Sequence, residues 1–294
     1  MTTPASAYVT ARVAEVSRLS SSFIRVVFDN PDPVGFVSSD VPDEIVHLYF
    51  PADEEVAPPE MAWIDGVLAH HREADVRECR NYTVRHWGAD TLTIDFVDHG
   101  GGVAAAWARS ARPGDQLGMW GTRSWYRPPV DTAWMLLVAD LPGIPALLRI
   151  VEQLPPGQHA HIIAEVAHSD DVVDINVRPE VTVDWLLGGN TVGASSIAER
   201  AATWAVPHGP GYVWFAGEAS TGRALRKHFR GHHHIPANRL ALVGYWRANK
   251  SDWVSRYEHK EAELLTEYAK INSTNISDAE AEVYWDEILE REGL

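Results

Sequence analysis

The run Trp134-Met135-Leu136-Leu137-Val138-Ala139 is uninterrupted by any polar residue, and it decides how the second half of the chain folds. Continuous apolar runs of this kind are typical of strands buried on both faces of a parallel sheet. Residues 144–154 follow with helical spacing, and strand-like and helix-like segments then alternate. The alternation predicts a parallel-sheet α/β domain over 131–250, with ligands bound beyond the carboxyl ends of the strands. The further segments are strands at 161–166, 181–186 and 212–216 and helices at 195–204 and 221–229.

Upstream of this run, the apolar residues come in short bursts rich in β-branched and aromatic side chains. Such bursts, separated by turn-forming Asp, Asn, Pro and Gly, indicate five or six short strands, and we expect a six-stranded antiparallel β-barrel over 8–130, five strands of which are visible in the pattern. The stretch 51–78 is acidic and contains proline, and we interpret it as a long surface loop or insertion. The predicted strands are 8–13, 22–28, 45–50, 81–85 and 91–97.

Residues 251–294 are rich in Glu, Lys, Ala and Leu and predict a C-terminal helical extension that is interrupted at 272–275. Ser277 and Glu280 have the spacing of a capping box, which predicts a final helix. The apolar contacts of that helix are expected to be Val283, Trp285 and Ile288 or Leu289.

The chain of 294 residues carries 25 Lys and Arg against 41 Asp and Glu, a formal charge of −16. This balance argues against nucleic-acid binding, which needs basic side chains along a groove. No stretch approaches the roughly 18 consecutive apolar residues of a membrane span, and no signal-peptide pattern is present, so we expect a cytoplasmic protein without a membrane segment. Cys79 is the only cysteine, which excludes an intrachain disulfide and a cluster held by several thiolates of this chain.

The segment Arg80-Asn81-Tyr82-Thr83-Val84-Arg85 combines a cation, an aromatic ring and a hydroxyl on one predicted strand. Residues two apart share a strand face, so Arg80 and Tyr82 can address the same extended ligand, while the Thr83 hydroxyl and the backbone offer hydrogen bonds. An amphipathic barrel strand with exposed arginines explains the same pattern, and the segment alone leaves both interpretations open.

The segment His99-Gly100-Gly101-Gly102-Val103-Ala104 is a glycine loop that leads directly into a predicted helix. Unpaired backbone N–H groups and the positive end of the helix dipole at such a start suit a pyrophosphate. A plain turn before a helix explains the segment equally well.

Taken together, these segments resemble the siderophore-interacting proteins, which are flavin-dependent ferric-siderophore reductases. The resemblance continues in order through Pro113-Gly114-Asp115, Gly121-Thr122-Arg123, 137–140, 215–219 and Gly244-Tyr245-Trp246-Arg247. It implies a ferredoxin-reductase-like pair, in which an FAD-binding barrel precedes a nicotinamide-binding α/β domain. Nicotinamide yields a two-electron hydride whereas ferric iron accepts one electron, and flavin can take both electrons and release them singly. The implied activity is electron transfer from NAD(P)H through FAD to the Fe(III) of a ferric siderophore, which releases Fe(II).

By the same resemblance, most of the site residues bind the flavin. Tyr82 would pack on the isoalloxazine and act with Thr83 at the catalytic centre, Arg80 would lie near the phosphates, and the glycine loop would hold the pyrophosphate. Val103 and Thr122 replace prolines that are common in the family, and neither change removes a backbone N–H. The predicted cofactor-binding residues are Arg80, Tyr82, Thr83, Val84, Asp98, His99, Gly101, Gly102, Val103, Ala104, Thr122, Asp140 and Glu218.

The electron donor should dock at the predicted strand ends around Asp140, Glu165 and Glu218. Family members that bind the 2′-phosphate of NADPH typically offer an Arg after the strand that matches 184–187. Gly188-Gly189-Asn190 follows here without a cation, so we expect NADH rather than NADPH, with a ferredoxin as an alternative donor.

Ferric siderophores are often anionic, so this acidic chain should present positive charge at the flavin edge. The family often uses a trio of basic side chains, for which Arg247 is the best match, with Arg123 or Arg127 second and His47 third. Because an unperturbed histidine titrates near about pH 6.5, we expect weaker substrate saturation as the pH rises from about 6 to 8. Solvated surface cations are the alternative interpretation of these arginines.

His228 and His232-His233-His234 suggest a metal site at first sight, but consecutive residues cannot all face one ion, and we expect a surface loop and no metal. We also expect a monomer. Two other functions remain open on this scaffold: a general NAD(P)H:flavin or ferredoxin-linked oxidoreductase, and a non-catalytic siderophore-binding protein.

Overall fold

The computed structural model of the protein describes residues 8–30, 32, 35–52, 57–64, 67–70, 79–175, 178–248, 250–273, 276 and 278–294. Its N-terminal part contains an antiparallel sheet with the strand order β6-β3-β9-β1-β2-β8-β7. The elements of this part are β1 (Val9–Arg18), β2 (Phe23–Asp29), β3 (Ile45–Tyr49), β4 (Met61–Ile64), β5 (Val67–His70), β6 (Arg80–Thr83), β7 (His86–Trp87), β8 (Thr91–Val97), α1 (Val103–Ser110) and β9 (Gln116–Arg123).

The predicted barrel is antiparallel as expected, but its strand count and closure were wrong. The sheet has seven strands, and its edge strands β6 and β7 do not pair with each other in the described part of the chain. The predicted strand 81–85 ends at Thr83, where the chain passes from pairing with β3 in β6 to pairing with β8 in β7. The Val84 N–H donates to the Glu44 carbonyl at 3.1 Å and the Arg85 N–H donates to the Thr93 carbonyl at 2.8 Å, so these two residues connect the two edges of the sheet without belonging to a paired strand.

Two further differences concern β9 and the hairpin of β4 and β5. Strand β9 was not predicted, because glycines interrupt its apolar pattern. One of them, Gly118, lies so close to Tyr8 that an added Cβ would be 1.9 Å from the phenol oxygen. The region 51–78 was expected to be a surface loop, but β4 pairs antiparallel with β5 within it. The apolar residues of these two strands suit such pairing. Residues 53–56, 65–66 and 71–78 lie outside the described residues.

The second half of the chain forms a parallel sheet in the order β12-β11-β10-β13-β14, which confirms the predicted parallel architecture. The central strand β10 is buried at every position, as its continuous apolar run predicts. The edge strand β14 was missed, because its apolar run of Leu240–Val243 is short and is followed by Gly244. The elements are β10 (Trp134–Ala139), α2 (Ile144–Gln153), β11 (His159–Val166), β12 (Val181–Leu187), α3 (Ile197–Thr203), β13 (Gly211–Glu218), α4 (Ala219–Arg226) and β14 (Leu240–Trp246).

The predicted helical extension consists of α5 (Lys250–Asn272) and α6 (Asp278–Arg291). The two helices share a small core, against which Trp285 packs, and the expected contacts of Ile288 and Leu289 are confirmed. Ser277 of the predicted capping box and the side chain of Val283 lie outside the described residues.

A buried seam joins the two sheets. Arg149 of α2 forms an ion pair with Glu44, which precedes β3, at 2.9 Å between Nη1 and Oε1, and both side chains are almost completely buried. Arg149 Nη1 also donates to the Val84 carbonyl at 2.9 Å. Elsewhere on the seam, the Ser22 hydroxyl donates to Asp171 Oδ2 at 2.7 Å. The seam therefore fixes the end of β6 relative to the parallel sheet.

Candidate active site

A cavity of about 630 Å³ lies between β6 and the carboxyl ends of the parallel strands. This volume falls within the range of roughly 300–1,000 Å³ that is common for small-molecule sites. The cavity brings together six residues that the sequence had assigned to cofactor or substrate: Arg80, Tyr82, Thr83, His99, Gly102 and Arg247.

Strand β6 forms one wall of the cavity, which we call the barrel wall (Arg80–Thr83, His99 and Gly102). The Tyr82 ring packs on the Phe96 ring with centroids 4.6 Å apart, and burial raises the pKa of the Tyr82 phenol, so it stays protonated. Thr83 is 4% exposed, and its Oγ1 forms no hydrogen bond of normal geometry with the described residues, its polar contact being a loose one with the Tyr245 phenol. A buried hydroxyl without a good hydrogen bond costs roughly 1–3 kcal/mol, so this wall favours a ligand that can bond to it.

The glycine loop places the start of α1 beside the same wall. Gly102 precedes the helix with a left-handed φ of 80°, no side chain caps the first turn, and that turn contains no acidic residue. Its backbone N–H groups are therefore available to an anion. The loosely bonded Thr83 hydroxyl, the Tyr82 ring and this helix start fit the ring and diphosphate of FAD.

Several residues assigned to FAD by the resemblance do not line the cavity. Val84 is buried in the barrel core, where its backbone carries the contacts to the seam. Asp98 pairs with Arg18 at 2.8 Å and with Arg109 at 3.4 Å. The others are Gly101, Val103, Ala104 and Thr122, and any role of these residues in FAD binding stays a prediction.

The opposite side of the cavity, which we call the sheet wall, consists of Leu141, Pro142, Asn190, Thr191 and 244–248 at the strand ends. Asn190 Oδ1 accepts a hydrogen bond from the Leu141 N–H at 3.0 Å, and Nδ2 donates to the Glu165 carbonyl at 3.2 Å. Asn190 and Thr191 both have left-handed backbones, with φ of 52° and 70°. Asparagine tolerates this conformation and β-branched threonine rarely adopts it, so the Asn190 bonds hold a strained loop against the cavity.

Asp140 and Glu218 lie beneath the sheet wall and do not line the cavity. Asp140 is 4% exposed, and its Oδ2 accepts hydrogen bonds from Trp246 Nε1 at 2.7 Å and from the Glu218 N–H at 2.8 Å. Burial raises the pKa of Asp140 to about 7, despite these two bonds. Glu218 caps α4 by accepting from the backbone N–H groups of Ser220 and Thr221.

The predicted basic trio is not gathered in the cavity. Arg247 lines it, with its guanidinium carbon 4.3 Å from the centre of the Trp253 ring. Arg123 stacks over Trp125 at 4.9 Å, outside the cavity lining. Arg127 also lies outside it.

His47 lies on β3, stacked on Trp120 with ring centroids 5.0 Å apart, and does not line the cavity. Burial lowers the pKa of His47, and although a hydrogen bond with Asn81 opposes this, the nearby Arg123 adds to it. With this lowered pKa, His47 loses its charge mainly below pH 6.5. The expected weakening of substrate saturation between about pH 6 and 8 is therefore smaller than the sequence predicts.

Two family models cover most of the chain. The model described as "Siderophore-interacting FAD-binding domain" matches residues 12–125, and the model described as "Siderophore-interacting protein" matches residues 132–249. The chain belongs to the siderophore-interacting protein family.

Two curated relatives of this siderophore-interacting protein are named as reductases. The NADPH-dependent ferric-chelate reductase of Escherichia coli (strain K12) is 29% identical over 80% of this chain and 91% of its own length. The ferric vibriobactin reductase ViuB of Vibrio cholerae is 27% identical over 80% of this chain and 87% of its own length. The crystal structure of a siderophore utilization protein from T. fusca is 28% identical, covers 83% of this chain and 94% of its own, and has a TM-score of 0.71.

The sequence of this family member did not reveal the residues of its sheet wall beyond Arg247. Asn190, Lys250 and Trp253 line the cavity from segments that are far apart in the chain. Only Gly188-Gly189 gave a signal, since paired glycines indicate a sharp turn.

Within the described ranges, no group of three or more His, Cys, Asp or Glu side chains has the arrangement of a metal site. Nor does any helix in this part of the chain combine the length and the apolar character needed to cross a bilayer.

Proposed function

We propose that this siderophore-interacting protein is an FAD-dependent reductase that transfers electrons from a reduced nicotinamide dinucleotide to the Fe(III) of a ferric siderophore and thereby releases Fe(II). The observation that carries the proposal is the cavity in which Tyr82 and the buried, only loosely bonded Thr83 hydroxyl face the carboxyl edge of a parallel sheet. The match to an FAD-binding family model and the two relatives named as reductases support it.

Bound FAD would supply the conversion of a two-electron hydride into single electrons, so that one nicotinamide reduces two ferric ions in turn. The residues of the chain bind and orient. The Thr83 hydroxyl would bond to the flavin ring, and the protonated Tyr82 would pack on the ring without adding charge. The backbone N–H groups that follow Gly102 would hold the diphosphate.

The nicotinamide dinucleotide would dock against the sheet wall, where Leu141 and Ala219 follow the ends of β10 and β13. No cation is present in 188–191, which supports NADH, whereas the relative from Escherichia coli is named NADPH-dependent, which supports NADPH. NADH, a ferredoxin as alternative donor, a monomeric state and a cytoplasmic location stay predictions.

The ferric siderophore would approach the mouth of the cavity at Arg247. This guanidinium is half-buried on the Trp253 ring, and Lys250 lines the cavity nearby. Partly desolvated cations bind anions more strongly than solvated ones, because local screening by water is weaker.

The test is anaerobic reduction of the FAD-loaded protein. We expect the yellow protein to lose its flavin absorbance with NADH or NADPH and to regain it with ferric siderophores. Failure to bind added FAD would contradict the proposal. Reoxidation by quinones and dyes but not by ferric complexes would favour a general oxidoreductase, and binding of ferric siderophore without reduction would favour a non-catalytic binding protein.

A further inference from the structure

The segment Trp246-Arg247-Ala248 is held from beneath at the residues on both sides of Arg247. Trp246 Nε1 donates to Asp140 Oδ2 at 2.7 Å, and the Ala248 N–H donates to Glu218 Oε1 at 3.2 Å. The two carboxylates are themselves connected, because the Glu218 N–H donates to Asp140 Oδ2 at 2.8 Å. Asp140 and Glu218 thus form one unit that anchors both neighbours of the arginine at the cavity mouth.

The same unit is poorly placed to bind a nicotinamide. Neither carboxylate lines the cavity, and the second oxygen of Glu218, Oε2, accepts from the N–H groups of Ser220 and Thr221. Asp140 Oδ1 has no hydrogen-bond partner within the described ranges, but it faces Gly217, where an added Cβ would lie 2.8 Å away. The oxygens of both side chains therefore bond to or pack against residues at the strand ends and do not face the cavity.

Arg247 itself is left available for a ligand. Its guanidinium stacks on Trp253 and makes no hydrogen bond with the described part of the chain. Its neighbours are anchored through a backbone amide and an indole, so no carboxylate uses up the five N–H donors of the guanidinium. Arg223 and Arg256 add positive charge around it, and Glu218 is the acidic group that acts on it.

We propose that Asp140 and Glu218 are positioning residues that hold Arg247 at the cavity mouth for an anionic metal chelate. This inference rests on the proposed function, because it gives Arg247 a role in substrate binding. It replaces the expectation that the two acidic residues contact the nicotinamide. Asp140 fixes the Trp246 end of the segment, and Glu218 fixes the Ala248 end.

Glu218→Ala distinguishes a positioning role from a purely electrostatic one, because the two roles predict opposite changes in the affinity for an anion. If Glu218 acted on Arg247 only through space, its removal would strengthen the binding of an anion. If Glu218 holds the segment, Glu218→Ala frees Arg247 and weakens binding. Glu218→Gln removes the charge and has one amide oxygen for donors that use both oxygens of Glu218, so it should bind more tightly than Glu218→Ala without exceeding the unmodified protein.

The experiment is calorimetric binding of gallium(III) tris(catecholate), a trianion that cannot be reduced, to the FAD-loaded protein. We expect Arg247→Ala to raise the Kd by about 10- to 30-fold, as for the loss of a charge-assisted contact. Glu218→Ala and Asp140→Ala should each raise it by about 3- to 10-fold, and Arg247→Ala/Glu218→Ala should bind no more weakly than Arg247→Ala alone. Glu199→Gln, an exposed acid-to-amide change on α3, is the control for net charge.

Flavin reduction by the nicotinamide is measured on the same variants. Tighter binding by Glu218→Ala, or additive effects in the double variant, would overturn the positioning role. So would slower flavin reduction in Asp140→Ala and Glu218→Ala with unchanged gallium binding, since that pattern means nicotinamide contact. If Arg247→Ala binds the gallium complex normally while ferric siderophores are still reduced, the positioning inference fails and the proposed function survives. If neither the unmodified protein nor any variant binds FAD, or if the nicotinamide does not reduce the bound FAD, the proposed function itself fails.

Discussion

The two walls of the cavity differ in how their polar groups are used. On the barrel wall, Tyr82 offers a ring and Thr83 offers a buried hydroxyl whose contact with the Tyr245 phenol is only loose. On the sheet wall, Asn190 bonds to Leu141, and Trp246 bonds to the carboxylate beneath it. The barrel wall therefore has a polar group suited to a ligand, whereas the polar groups of the sheet wall other than Arg247 mostly hold one another.

The largest effect is expected at the seam, where Arg149 bonds to Glu44 and to the Val84 carbonyl next to Thr83. Arg149→Met leaves the Glu44 carboxylate buried without its cation. Breaking a buried pair from one side typically costs about 3–5 kcal/mol, and we expect this fall in the free energy of unfolding, measured by urea titration.

A second ion pair across the same seam provides the control. Arg85 Nη1 contacts Glu152 Oε2 at 2.8 Å, but the Glu152 side chain is 55% exposed. Arg85→Met should therefore cost about 1 kcal/mol or less. Equal losses from the two variants would contradict the view that Arg149 aligns the walls.

The contrast between the walls also explains what could be read from the sequence. Most residues of the barrel wall lie close together on β6, where the alternation of a strand predicts Arg80 and Tyr82 on one face, and both line the cavity. The sheet wall is assembled from Leu141, Asn190 and Trp246, which are about 50 residues apart in the chain. No local pattern encodes their meeting, which depends on the strand order of the parallel sheet.

The sheet wall rests on Asp140, and its stability should depend on pH through this residue. Burial raises the pKa of Asp140 to about 7, above the usual value in an unfolded chain. Between about pH 4 and 7 the unfolded chain has lost this proton and the folded chain has kept it, so the free energy of unfolding falls as the pH rises. The total fall is about 4 kcal/mol, and it ends above the folded pKa.

Asp140→Asn isolates this contribution, since the amide keeps an oxygen for the Trp246 and Glu218 N–H groups and does not titrate. We expect the stability of Asp140→Asn relative to the unmodified protein to increase from pH 4 to 7 and then to stay constant, in urea titrations at each pH. A difference that does not change with pH would show that Asp140 is ionised in the folded protein.

On the barrel wall, Thr83→Val should change stability and FAD affinity in opposite directions. The Oγ1 atom makes only a loose contact with the Tyr245 phenol in the protein alone, so replacing it with a methyl group should leave the FAD-free protein equally stable or up to about 1 kcal/mol more stable. FAD would lose a hydrogen bond, which we expect to weaken its binding by about tenfold. Thermal unfolding without FAD and a flavin fluorescence titration measure the two effects.

Thr132→Val is the matched control, because the Thr132 hydroxyl lies outside the cavity and donates to the Pro129 carbonyl at 2.6 Å. That variant should lose stability and bind FAD normally. If Thr83→Val were destabilised in the same way and kept its FAD affinity, the hydroxyl would have an internal structural role and would not bond to FAD.

The smallest effect is expected where the helical extension meets the sheet wall, at the stack of Arg247 on Trp253. Trp253→Leu keeps an apolar side chain of moderate size but removes the ring face, and a cation–π contact contributes about 0.5–1 kcal/mol at a partly exposed site. The KM for a ferric siderophore should therefore rise by about two- to fivefold with kcat unchanged, in steady-state assays. Tyr268→Leu, on the same helix but outside the cavity lining, should leave both constants unchanged. A rise as large as that of Arg247→Ala would mean that Trp253 itself contacts the substrate, and no rise would mean that the frame beneath Arg247 holds it without help from α5.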